Sequence, residues 1–243
     1  MHFSKHFAVA AAALSAALVM GGAAHATQYA VNGDFTQLTN GLGELGYNTD
    51  ATGWSANGGY NFVFTQGDVE SPGFFGGLGL WDANNGGSNT WNGLAAGAGN
   101  FAALDGDFQT APLTQTISGL TIGQSYNLSF NYAFGQQTGF DGPTVQSIIF
   151  GLGDFSTTTG DFNVANHGFT GWHAFSAVIK ATSTSEVLSF LAVGDKPVPP
   201  FALVSNVSLT GGVPEPAAWT MMILGFGGLG AIARRRRAAT AAA

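Results

Sequence analysis

The chain has 243 residues, no cysteine and a formal charge of −7, so disulfides, thiol chemistry and cysteine-built zinc sites are excluded. Five of the seven basic residues, Lys5 and Arg234, Arg235, Arg236 and Arg237, lie near the two ends. Between those ends Lys180 and Lys196 stand against 13 acids, a balance of −11, which argues against nucleic acid or an anionic membrane surface as partner.

The first 26 residues have the anatomy of a secretory signal peptide. Lys5 makes the start basic, Phe7 to Met20 is an apolar core, and Ala24-His25-Ala26 fits the small-x-small cleavage rule. Cleavage after Ala26 leaves Thr27 as the mature N-terminus, and the segment 27–212 is then one exported domain. It is long enough to be held by a single hydrophobic core.

No long amphipathic helix is legible in that domain. Apolar residues alternate, which predicts half-buried strands. The clearest is Ser125 to Phe134, where Tyr126, Leu128, Phe130, Tyr132 and Phe134 share a face. Phe201 to Leu209 repeats the pattern with Phe201, Leu203, Val207 and Leu209. Further strands are predicted at Tyr60 to Thr65, Phe101 to Leu104, Leu113 to Ser118, Val145 to Leu152, Trp172 to Lys180 and Val187 to Val193. Turn signals such as Asn32-Gly33, Ser118-Gly119, Ile122-Gly123 and Asp141-Gly142-Pro143 separate them. Eight or nine short strands predict an all-β fold, an antiparallel β-sandwich.

Motif order sharpens this to a jelly roll. The opening Asn32-Gly33-Asp34-Phe35, the later Gly53-Trp54, the stretch Leu113 to Phe130 and the last strand Phe201 to Leu209 resemble galactose-binding-like and carbohydrate-binding-module sandwiches. That last strand usually carries Asp before Asn206; Ser205 stands there instead. The resemblance implies glycan binding and a structural calcium.

Candidate sites follow. Asp34, Asp105, Asp107 and Asp195 are the candidate donors for such a calcium, although no contiguous calcium loop is present. Sugar faces stack on aromatic rings while polar groups satisfy hydroxyls. Trp91, inside the Gly- and Asn-rich segment 81–100, and Phe140 with Asp141 in Gly135 to Gly142 are therefore the glycan-binding candidates. Trp54, Trp81 and Trp172 are read as core. His173, beside Trp172, is read as a surface or satisfied core histidine. Asp105 and Asp107 could form a carboxylate pair for glycoside cleavage, but Asp and Gly favour a turn there. No Gly-x-Ser-x-Gly elbow is present, and the expectation is a protein without catalytic residues. A polysaccharide-active enzyme is the alternative. Ice binding or adhesion is another, but Thr157-Thr158-Thr159 and Thr182-Ser183-Thr184 are not regular arrays.

The tail, 213–237, begins with Pro214-Glu215-Pro216, continues as an apolar stretch from Ala217 to Ala233 and ends in the four arginines, with a short tail at 238–243. The prolines stop a helix from running back into the domain. As a helix the apolar stretch would be about 25 Å long, near the lower limit for a bilayer. The arginines resist translocation. Pro214, Glu215, Pro216, Trp219, Met221, Met222, the Gly-rich run 224–230 and Arg234 to Arg237 resemble the PEP-CTERM sorting signal; Thr220 departs from the usual Ala. That resemblance implies export in a Gram-negative bacterium and a transient inner-membrane anchor through 217–233. It further implies processing by an exosortase-type membrane protease-transpeptidase, delivery to the cell surface or matrix, and association with exopolysaccharide and biofilm.

Overall fold

The computed structural model describes residues 26–66, 70–88, 99–195, 199–211 and 225–226. The strands are β1 (Thr27–Gln28), β2 (Gly43–Glu44), β3 (Asn61–Thr65), β4 (Glu70–Ser71), β5 (Leu78–Gly79), β6 (Asn100–Asp105), β7 (Leu113–Ser118), β8 (Ser125–Gln136), β9 (Thr144–Leu152), β10 (Phe155–Thr158), β11 (Phe162–Val164), β12 (His173–Lys180), β13 (Ser185–Gly194) and β14 (Pro200–Gly211). All pairings between them are antiparallel. One sheet runs β12-β8-β14-β6-β3-β2, with β1 also on β14; the other runs β10-β9-β13-β7, with β11 also on β9. From β6 onward the chain passes back and forth between the sheets, giving a jelly-roll sandwich. β4 and β5 form a separate hairpin.

The alternation read in the sequence is the packing pattern. Leu128, Phe130 and Phe134 of β8 meet Phe150 and Leu152 of β9 and Leu188 and Phe190 of β13 in the space between the sheets. Phe130 lies 4.8 Å from Phe150 and 4.9 Å from Phe190, both edge-on, and each buried Phe contributes about 1.5–3 kcal/mol.

β3, β6 and the first half of β14 do not alternate, because both of their faces are covered. Phe62, Phe64, Phe101, Ala103, Phe201 and Leu203 point away from the sandwich into a second core, closed by Leu78, Leu80, Phe169 and Trp172. This corrects the single-face reading of the last strand. Phe201 and Leu203 join the second core, whereas Val207 and Leu209 join the first. A bulge between Ser205 and Ser208, with Asn206 at φ +52°, inserts one residue and exchanges the faces.

That bulge docks on the Asn32-Gly33 turn. The Val207 amide donates to Gly33 O at 2.9 Å, and a Cβ on Gly33 would lie 1.8 Å from Val207 O. Trp54 Nε1 donates to Asn32 O at 3.1 Å. Gln115 accepts from Val31 N at 2.8 Å and donates to Val31 O at 2.9 Å, like one more rung of a ladder. The sequence motifs that suggested a jelly roll are thus joined at one corner of the sandwich.

Residues 26–212 form one compact unit. Among the described residues no helix is long and apolar enough to cross a membrane. Gly225 and Phe226 are helical; the rest of 217–233, like the signal segment up to His25, lies outside the described residues.

Candidate functional site

Three loops bring aromatic rings to the surface. The first follows β2 and carries Tyr47. The second joins β4 to β5, where Gly76 N donates to Gly73 O at 3.2 Å and closes a turn with Phe74 and Phe75 at its centre. The third follows β6. There Asp105 Oδ1 accepts from Asp107 N at 2.7 Å and Phe108 N at 2.9 Å, the carboxylate-capped turn that the Asp-Gly-Asp spacing predicts. Tyr47, Phe74, Phe75 and Phe108 are 57%, 63%, 58% and 60% exposed.

These rings form one contiguous platform. Tyr47 and Phe74 are 5.3 Å apart, Phe74 and Phe75 4.9 Å, and Phe75 and Phe108 5.9 Å. Buried Tyr60 supports them from below, 5.8 Å from Phe75 and 5.7 Å from Phe108. An isolated exposed Phe is unremarkable, but four adjoining exposed rings make a contiguous apolar patch and so a candidate site.

Two buried acids brace the platform. Glu44 Oε2 accepts the Phe74 amide at 2.7 Å, and Asp105 holds the Phe108 amide. The Tyr60 hydroxyl is pushed above the ordinary phenol range by burial, then by the charges of Glu44 and Asp105. Burial also raises the Asp105 carboxyl, against the opposing backbone amides of Asp107, Phe108 and Gln109.

Beside the platform, an open cavity of about 550 Å³ is lined by Glu70, Ser71, Pro72, Leu78, Gly79 and Thr138 among others. Thr138 N donates to Gly79 O at 2.9 Å, which fixes the β4–β5 hairpin to the loop that carries Phe140 and Asp141. From the segment after β5, Trp81 Nε1 donates to Phe140 O of that loop at 3.2 Å. Trp81 stacks on His167 at 3.7 Å, and His167 Nε2 meets Asp141 Oδ1 at 2.6 Å. Phe140 is exposed. Trp81 belongs to neither core and instead serves this loop junction, whereas Trp54 and Trp172 take core positions as expected. Trp91 lies outside the described residues.

His173 packs between Tyr132 and Phe162, with its Nε2 buried and without a hydrogen-bond partner. The four candidate calcium donors are not gathered at one place. Asp34 O accepts from Asn100 N at the start of β6, while Asp105 ends that strand, about 17 Å away. Asp195 Oδ1 accepts the Val145 amide at 2.5 Å. Among the described residues no three His, Cys, Asp or Glu side chains are grouped to hold a metal ion.

Sequence reasoning missed the platform because its rings come from three separate loops. One local signal was available: Phe74-Phe75 sits among Gly73, Gly76 and Gly77, a place where no strand could bury it.

No curated protein sequence matches the chain. Similar solved structures include a CBM4 carbohydrate-binding module (17% identity, 74% of this chain and 98% of that one, TM-score 0.33). TmCBM61, solved with β-1,4-galactotriose, is 13% identical over 76% of this chain and 99% of that one, with TM-score 0.37. The CBM22-2 xylan-binding domain of Paenibacillus barcinonensis is 11% identical over 67% and 94%, with TM-score 0.32. Residues 212–237 match the PEP-CTERM protein-sorting motif, so the chain carries a signal that implies export to the surface or extracellular space.

Proposed function

We propose that this protein is sorted by an exosortase to the cell surface or matrix, where its sandwich binds extracellular polysaccharide weakly and without catalysis. The observation that carries the binding reading is the platform of four exposed rings on acid-braced loops. Pyranose rings present C–H faces to aromatic rings, and the adjoining polar cavity supplies partners for hydroxyls. The buried acids fix the loops beforehand, so less ordering opposes binding. The sorting motif supports delivery to the place where such polymers occur.

Affinity electrophoresis through gels containing the source cell's exopolysaccharide tests this reading. Retardation that is lost in Phe75→Ala supports it. Unretarded migration of the folded protein through that polymer and through a panel of neutral polysaccharides would leave only a passive structural role.

A further inference from the structure

We infer that the aromatic platform selects polysaccharide bearing free ammonium groups, that is, de-N-acetylated hexosamine; this rests on the glycan-binding reading above. Rings alone would accept the C–H face of any pyranose. What lies beneath them narrows the choice.

Glu44 and Asp105 are buried below the rings, and each holds the backbone of an exposed Phe through one carboxylate oxygen. Tyr60 lies between them and feels both charges. Among the described residues neither acid forms an ion pair with Lys, Arg or His; the ion pair found there is His167 with Asp141. Lys180 lies at the end of β12, opposite Ser125, on the far edge of the sheet from β2. Among the described residues, which do not include Lys196, the platform therefore combines π faces with negative charge and has no cation beside it.

An ammonium group settling on these rings gains from their quadrupoles and from both carboxylates, which act through a medium poorer in water than bulk. An N-acetylated amine or a plain hydroxyl gains only the stacking. A uronic acid is repelled, locally and by the domain balance of −11. The ligand chemistry that satisfies rings and carboxylates together is a sugar ring with a free amine.

The test is calorimetric titration of the exported protein with hexamers of glucosamine, N-acetylglucosamine and glucose, and with polylysine. It is run at about pH 6 and again at about pH 7, where the sugar amine still carries substantial positive charge, because burial raises the Asp105 carboxyl. The glucosamine hexamer is expected to bind about tenfold tighter than its N-acetylated counterpart at low salt. The gap should narrow at high salt, because the partly exposed charges are screened. Glu44→Gln and Asp105→Asn keep an acceptor for the Phe amides and should each narrow the gap; thermal melts establish that they fold. Equal binding of the glucosamine and N-acetylglucosamine hexamers overturns the selectivity and leaves glycan binding standing. Polylysine binding as tight as the glucosamine hexamer overturns the assignment to a sugar. Binding of none of the hexamers overturns both readings.

Discussion

The backbone amide of Phe74 donates to Glu44 Oε2 at 2.7 Å, tying the most exposed ring of the platform to a buried carboxylate. Losing that acceptor strands an amide in a tight turn and frees the ring. Glu44→Ala is predicted to cost about 1–3 kcal/mol and to weaken glycan binding, whereas Glu44→Gln keeps most of the stability. Urea denaturation of both variants checks this. Equal midpoints for Ala and wild type would refute the bracing role.

Asp105 gives a pH signature. Burial raises its carboxyl in the folded state, so the folded protein binds that proton more tightly than the unfolded chain does. As pH rises from the ordinary carboxyl range through the raised value, this group subtracts stability. Asp105→Asn still offers an acceptor to the Asp107 and Phe108 amides. It is predicted to be at least as stable as wild type at neutral pH, with the advantage fading in acid. A variant less stable than wild type at neutral pH would contradict the sign.

Gly33 is fixed by contact rather than by conformation. A methyl group there would meet Val207 O at 1.8 Å, at the bulge that exchanges the faces of β14. Gly33→Ala is predicted to destabilise by about 3 kcal/mol, measured by thermal or urea unfolding. A change within experimental error would show that the corner yields.

Much of this fold was legible because half-buried strands write their period into the sequence. Leu113 to Ser118 was predicted with its observed bounds, and Ser125 to Phe134 extends only to Gln136. β1, β2, β4 and β5 were missed because two residues carry no period. The exchange of faces in β14 was invisible because Phe201, Leu203, Val207 and Leu209 keep the parity of a regular strand; the register shift between Ser205 and Ser208 and the positive φ of Asn206 reveal the added residue. The candidate site was less legible. Phe140 and Asp141, read as loop residues, are exposed, and Asp141 is engaged by His167. The platform depends on Tyr47, Phe74, Phe75 and Phe108 meeting across loops, and no local window contains that contact.

The tail offers a prediction separate from the domain. Deleting Arg234 to Arg237 from the sorting motif removes the positive charge that resists translocation. Processed, surface-delivered protein should fall and precursor should accumulate, as read by immunoblot of cell fractions. Unchanged processing would count against exosortase sorting.

The most direct test of the central claim compares wild type with Phe75→Ala and Phe108→Ala for affinity to the source cell's exopolysaccharide. Both rings are exposed, so the variants should fold normally. Each is predicted to lose about tenfold in affinity. Undiminished affinity in both folded variants would contradict the platform as the glycan-binding surface.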